Sequence, residues 1–308
     1  MLLWQGQFVS QLGSSVSGIA LSLWVVNTTN SGTILGTLMM IAAIPGLILQ
    51  PLGGSIADRF SRKRIIVTCD LVYGVLAVLL GASLFLLSSN LTGSLIPVFV
   101  LHVLMSAIGA LFVPAVAAFT PSLVPKEHIA SANALTQSTA QVAGLIGRAA
   151  GGILYRILGA PILFLVDGIT FIISAVSELF IQSPQDEGKS EEKEKASLGL
   201  MASTKEGFAY VWQWKGLRVL MLVAAALNFF ITPVFILLPF YVKDPRYLAA
   251  GDEWYGFLLA SMAPGSLVGF SVGAILFRRF KVFGQIIAWL LPVLDICFFL
   301  LAITRTPW

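Results

Sequence analysis

The sequence predicts an all-α polytopic membrane protein, and three observations carry that reading. Hydrophobic residues make up 57% of the 308 and charged residues only 11%, with a mean hydropathy of +0.90, a balance outside the range of soluble domains. The apolar residues gather into runs of about 20 or more, each long enough to cross a bilayer as a helix. The charges fall mainly between the runs, so the net charge of +4 marks helix ends and is not a nucleic-acid signal. Cys69 and Cys297 both lie inside apolar runs, which implies no disulfide framework. Metal-ligand spacings, phosphate-cradling glycine loops and nucleophiles beside a base are all missing from the sequence. Neither a cofactor nor an enzymatic reaction is therefore expected.

Nine spans are expected, at residues 4–26, 33–56, 65–87, 95–119, 132–157, 160–182, 218–242, 254–277 and 284–303. No small-residue cleavage site follows the first run, so it is read as a retained span. The loop after the second run fixes orientation. Arg59, Arg62, Lys63 and Arg64 crowd between two apolar runs, and short basic loops stay cytoplasmic. With the amino terminus also in the cytoplasm, the four inner loops hold 14 of the 19 lysines and arginines. The expected location is the bacterial cytoplasmic membrane, with the segment 183–217 on the cytoplasmic side.

That segment divides the chain. Gln185 to Ala196 is almost entirely charged or small and reads as a solvated linker. After it, Leu198, Met201, Phe208 and Trp212 recur at helical spacing, as an interfacial amphipathic helix or as the first turn of the next span. The expected organisation is a bundle over 1–182, a linker over 183–217, and a partial second bundle of three helices over 218–308.

Polar residues inside spans must be bonded within the protein or face water, so they map the interior. In the first span Gln7, Gln11, Ser14 and Gly18 share one helical face. In the fifth, Asn133, Gln137, Gln141, Gly144 and Arg148 fall within a narrow arc. Such stripes line either a wet cavity or an amide-glued helix seam. The cavity reading adds Asn228 and Thr232 of the seventh span. Arg148 is the costliest residue, since a charge at mid-membrane costs roughly 2.5–3.5 kcal/mol on insertion scales. Its candidate partners are the intramembrane acids Asp70, Asp167 and Asp295. Asp167 is the nearest in sequence, and it shares a helical face with Thr170, Ser174 and Glu178. The alternative for Arg148 is a snorkelling base or a purely structural pair.

Three motifs carry a family resemblance. Gly54, then Asp58-Arg59, then Arg62-Lys63-Arg64 resembles the signature between the second and third helices of the major facilitator superfamily. There the acid and bases form a conformational latch at the cytoplasmic helix ends. Ser61 stands where that family usually has glycine. Trp4-Gln5-Gly6-Gln7-Phe8-Val9-Ser10-Gln11-Leu12-Gly13-Ser14-Ser15 is similar to the opening helix of its macrolide-efflux and enterobactin-exporter branch. Phe112-Val113-Pro114-Ala115, Pro121-Ser122-Leu123-Val124-Pro125 and Ala132-Asn133-Ala134-Leu135 resemble the same branch. Gly147-Arg148-Ala149-Ala150-Gly151-Gly152 resembles the antiporter motif of the fifth helix, with arginine where proline usually follows the first glycine.

The resemblance implies a bundle of that superfamily, with the first six helices complete and three of the second six present, as in a chain truncated after its ninth span. It also implies export of a small organic molecule through alternating access, usually driven by protons, by a monomer in the lipid bilayer. A non-transporting membrane effector, or an inactive transporter fragment, is the alternative.

Overall fold

The computed structural model describes residues 2–87, 91–181, 212–262 and 265. The linker core, Asp295, the expected ninth span and most of the eighth lie outside the described residues, as do the side chains of Asp58 and Arg59. The elements are α1 (Leu2–Thr29), α2 (Gly32–Arg59), α3 (Arg62–Leu86), α4 (Leu91–Phe119), α5 (Ile129–Leu179), α6 (Lys215–Lys243) and α7 (Asp252–Ala260). Two single turns of 3-10 helix, Thr120–Ser122 and Lys126–His128, join α4 to α5. Among the described residues the chain is all-α, as the sequence predicts.

Each long helix starts or stops for a local reason. Ser31 caps α2 by accepting a hydrogen bond from the Ile34 amide at 3.3 Å. Ser61, at the position where glycine was expected, caps α3 by accepting from the Arg64 amide at 3.4 Å. The 51 residues of α5 are two spans, because Gly159 at φ 75° and ψ 164° breaks the helix. Only glycine takes that backbone without strain. Pro161 then sits in the first turn of the second arm, where its missing amide hydrogen costs nothing. The first bundle therefore has six spans: α1 to α4 and both arms of α5. α6 begins at Lys215, three residues before the expected start of the seventh span.

The packing inverts the pattern of a soluble protein. Leu47, Leu86, Ile157 and Phe180 are largely exposed, while Gln7, Asp70, Asp167, Ser174 and Glu178 are buried. Apolar surfaces on this scale face lipid, and the polar groups turn inward. The core of the first bundle runs from Val16, Leu21 and Val25 through Leu35, Leu80 and Leu84 to Leu163 and Phe164.

Close helix approach holds that core. A Cβ on Gly168 would lie 2.5 Å from the Gly74 carbonyl oxygen, and one on Gly74 would lie 2.8 Å from the Gly168 oxygen. Backbone thus meets backbone between α3 and the second arm of α5, which lipid-embedded helices achieve with small residues. Gly168→Ala should destabilise the protein by about 1–3 kcal/mol, the usual overpacking cost. Gly46→Ala, where nothing lies within 4 Å, should leave thermal unfolding in lipid nanodiscs unchanged or slightly raised.

Candidate functional site: a cavity in the first bundle

A cavity of about 510 Å³ opens among α1, α3, α4 and the first arm of α5, in the half of the bundle nearest the basic loop. Its wall is mostly apolar, with Ile108, Phe112, Val116 and Phe171 prominent. Of the residues expected to line a passage, Gln7, Gln11, Ser14, Asn133 and Gln137 are on the wall. Gln141, Arg148 and Asn228 are not among them. Gln141 and Asn228 are exposed elsewhere, and Asn228 donates back to the Ala224 carbonyl of its own helix at 2.9 Å.

The α1 stripe acts as an amide ladder. Gln11 Nε2 donates to Gln7 Oε1 at 3.3 Å, and Gln7 Nε2 donates to Glu178 Oε1 at 3.0 Å. Trp4 Nε1 reaches across to Thr136 Oγ1 at 3.0 Å, tying α1 to the first arm below the cavity. Asp70, also on the wall, is 1% exposed, and Tyr73 one turn on stacks against Phe171 with ring centroids 4.1 Å apart.

Arg148 and Asp167 do not meet. The Arg148 guanidinium donates through Nε to its own Gly144 carbonyl at 3.0 Å, and no described carboxylate is within ion-pair distance. Asp167, fully buried, faces Gly13 of α1 instead. The reason is that α1 runs between the two arms of α5. On one side Gly147 packs against Ser15 and Leu12; on the other Asp167 packs against Gly13.

The basic loop makes contacts that spacing did not reveal. Arg62 donates through Nη1 to Ala118 O at 2.7 Å and through Nε to Ala57 O at 3.4 Å. Lys63 Nζ donates to Leu179 O at 2.7 Å. Those carbonyls belong to the last turns of α4, α2 and α5, which have no helical donors of their own. The cations also complement the negative ends of three helix dipoles.

At the opposite end the first bundle meets α6 and α7. Asn27 donates through Nδ2 to Tyr155 Oη at 3.0 Å and to Asp252 Oδ2 at 3.3 Å, and it accepts from Lys243. Lys243 pairs with Asp252 at 3.2 Å, and Arg156 with Glu253 at 3.2 Å. Beneath them a Cβ on Gly256 would lie 2.5 Å from Arg148 O, and one on Gly152 would lie 2.5 Å from Asp252 O. The small residues of the Gly147 to Gly152 motif thus face both α1 and α7. Glu178, Tyr73, Asn27, Tyr155 and Asp252 were not picked out by sequence as site residues. Glu178 lies at the end of its span, where a carboxylate ordinarily reaches water, and the others gain their roles only across helices.

The chain matches the Major Facilitator Superfamily model over residues 3–308. It belongs to the Major Facilitator Superfamily. Among its relatives, Macrolide efflux protein A of Streptococcus pyogenes is 24% identical over 268 residues, which is 87% of this chain and 64% of that protein. The MFS-type transporter YkuC of Bacillus subtilis, itself uncharacterized, is 26% identical over 280 residues, 88% of this chain and 63% of that one. Multidrug efflux pump Tap of Mycobacterium bovis is 24% identical over 264 residues, 83% and 60%. The chain therefore spans under two thirds of the length of these relatives. The branch resemblance read from the opening helix agrees with them, and the chain is a multi-pass membrane protein of this superfamily.

Two outcomes follow from the site geometry. Arg62→Ala should cost about 1.5–3 kcal/mol, the scale of charge-assisted hydrogen bonds, and Lys63→Ala about 0.3–1 kcal/mol, both read by thermal unfolding. In the turn after α6, Asp244 is held down to about 2 by the Arg246 guanidinium and amide. Asp244 contributes in full above its unfolded value near 4, and the contribution disappears as pH falls from there through about 2. In an unfolding series over that window Asp244→Asn should flatten part of the acid sensitivity.

Proposed function

We propose that the protein is a secondary active transporter that exports a small organic compound across the bacterial cytoplasmic membrane by alternating access, driven by the proton gradient. The single observation that carries this reading is the asymmetry of the molecule. A cavity lies in the half near the basic loop, while the far end is closed by polar contacts between the bundles. With the basic loop in the cytoplasm, that arrangement is a loading state, closed toward the outside. Release then requires the Asn27–Tyr155–Lys243–Asp252 cluster and the Arg156–Glu253 pair to part. Both are solvent-accessible pairs of modest strength, suited to opening and closing.

The cavity chemistry supports the cargo class. Apolar and aromatic walls with a few amides and hydroxyls take an amphiphilic organic molecule through burial, with the polar groups fixing its orientation. Relatives named for macrolide and multidrug efflux support the same class. The basic loop, with Gly54, Asp58, Arg59, Arg62, Lys63 and Arg64, serves in this scheme as the latch at the loading end, and Arg148 sits beside the glycine-packed contact on which the bundles rock.

Proteoliposomes loaded with a fluorescent hydrophobic dye test the reading. The protein should move the dye down and against its gradient when a pH gradient is imposed. In a background with Cys69 and Cys297 replaced by serine, Asn27→Cys with Asp252→Cys should form a disulfide that stops transport, and reductant should restore it. Unimpeded transport by the cross-linked protein would exclude release through that end.

A further inference from the structure

Four buried polar atoms without partners converge beside the cavity. Both carboxylate oxygens of Asp70, Oε2 of Glu178 and the Ser174 hydroxyl oxygen have no hydrogen-bond partner, and each of the three residues is 1% exposed. Asp70 on α3 and Glu178 on the second arm of α5 are near enough to interact directly, with Ser174 beside both. The Gly74–Gly168 contact, one turn from Asp70, brings these two helices backbone to backbone. Such groups are costly when left unsatisfied.

We propose that Asp70 and Glu178 form a proton-binding site, holding one proton between them and passing its presence to the cavity through Gln7. A carboxylate only accepts hydrogen bonds, whereas a protonated carboxyl also donates. Ionised, the two acids set like charges side by side, with the Gln7 amide on Glu178 Oε1 alone and the Ser174 hydroxyl as the one further donor near them. One added proton forms an O–H bond on one carboxyl and supplies the donor for the other, and the like-charge repulsion ends.

The two acids have different access. Asp70 is on the cavity wall and Glu178 is not. Glu178 instead holds Gln7 by its amide, and Gln7 holds Gln11, both on that wall. Protonation of the pair therefore changes the acceptor that anchors the α1 ladder, which is where cargo would lie. The groups facing the pair are Gln7 from α1, Ser174 from α5, and Tyr73 and Cys69 on α3 itself. From α4 the wall brings Phe112, Val116 and Thr120, which carry no charge. Among the described residues no cation pairs with either acid. Asp167, the other buried acid among the described residues, lies farther along the same arm against Tyr73 and Ser17, with no second described carboxyl beside it.

This site presupposes the transport reading above only for its coupling role, so two measurements separate them. Infrared difference spectra of the protein in nanodiscs, taken across a pH series in light and heavy water, should show a protonated-carboxyl stretch. Asp70→Asn should remove it and Glu178→Gln should shift it; glutamine preserves an acceptor for Gln7 and with it the fold. A band unchanged in both variants overturns the site, whether or not the protein transports. In proteoliposomes, the ratio of pH-driven dye accumulation to dye exchange should fall by about tenfold in either variant, inside the range of ordinary site-to-site coupling. Wild-type ratios in both would overturn the coupling role, as would accumulation that follows a sodium gradient and not a pH gradient. Wild-type protein that moves no dye, with the infrared band lost in Asp70→Asn, would sink the transport reading and leave the proton site standing.

Discussion

Hydrogen bonding without water is the constraint on which the rest of the structure depends. At membrane depth a polar side chain must find its partner within the protein, on its own helix or a neighbour, or pay for having none. The first bundle answers with α1. Its glutamines form a ladder ending on Glu178, Ser17 bonds the Leu163 carbonyl at 3.3 Å, and Trp4 bonds Thr136. One helix is thereby fixed to both arms of α5 and stands between them. That position separates Arg148 from Asp167, although a sequence separation of nineteen residues and a shared polar character invite the pairing.

The two ends of the molecule are held by different physics. At the basic loop, cationic side chains fold back onto the carbonyl ends of α2, α4 and α5, contacts that lie wholly within the first bundle. At the far end the contacts run between bundles, from Asn27, Tyr155 and Arg156 to Lys243, Asp252 and Glu253. One end is thus built to hold its own helices together. The other holds α6 and α7 against α1 and α5 through contacts that water can replace.

Between the ends, small residues decide where space exists. Gly147 and Gly151 bring α1 onto the first arm of α5, and Gly152 and Gly256 bring that arm onto α7. All four lie on the side of the cavity away from the basic loop. Where the residues are larger, along Gln7, Gln11, Asn133 and Gln137, the helices stand off and the cavity opens. The arginine inside the glycine motif fits because its guanidinium turns back onto its own helix, leaving the backbone contact with Gly256 undisturbed.

The sequence by itself determined the all-α membrane class and the run of long apolar helices among the described residues, because hydropathy, length and helical period are local properties. The break at Gly159 falls between the fifth and sixth spans expected from hydropathy, at 132–157 and 160–182. Of the α1 stripe Gln7, Gln11 and Ser14, and of the α5 stripe Asn133 and Gln137, are on the cavity wall. Only the tertiary structure decided which polar groups meet. Arg62 and Lys63 on the Ala118 and Leu179 carbonyls, Asp70 beside Glu178, and Asn27 among Lys243 and Asp252 all join residues far apart in the chain. Such pairs depend on which helix lies next to which and at what depth, and one helix's periodicity carries no information about its neighbour.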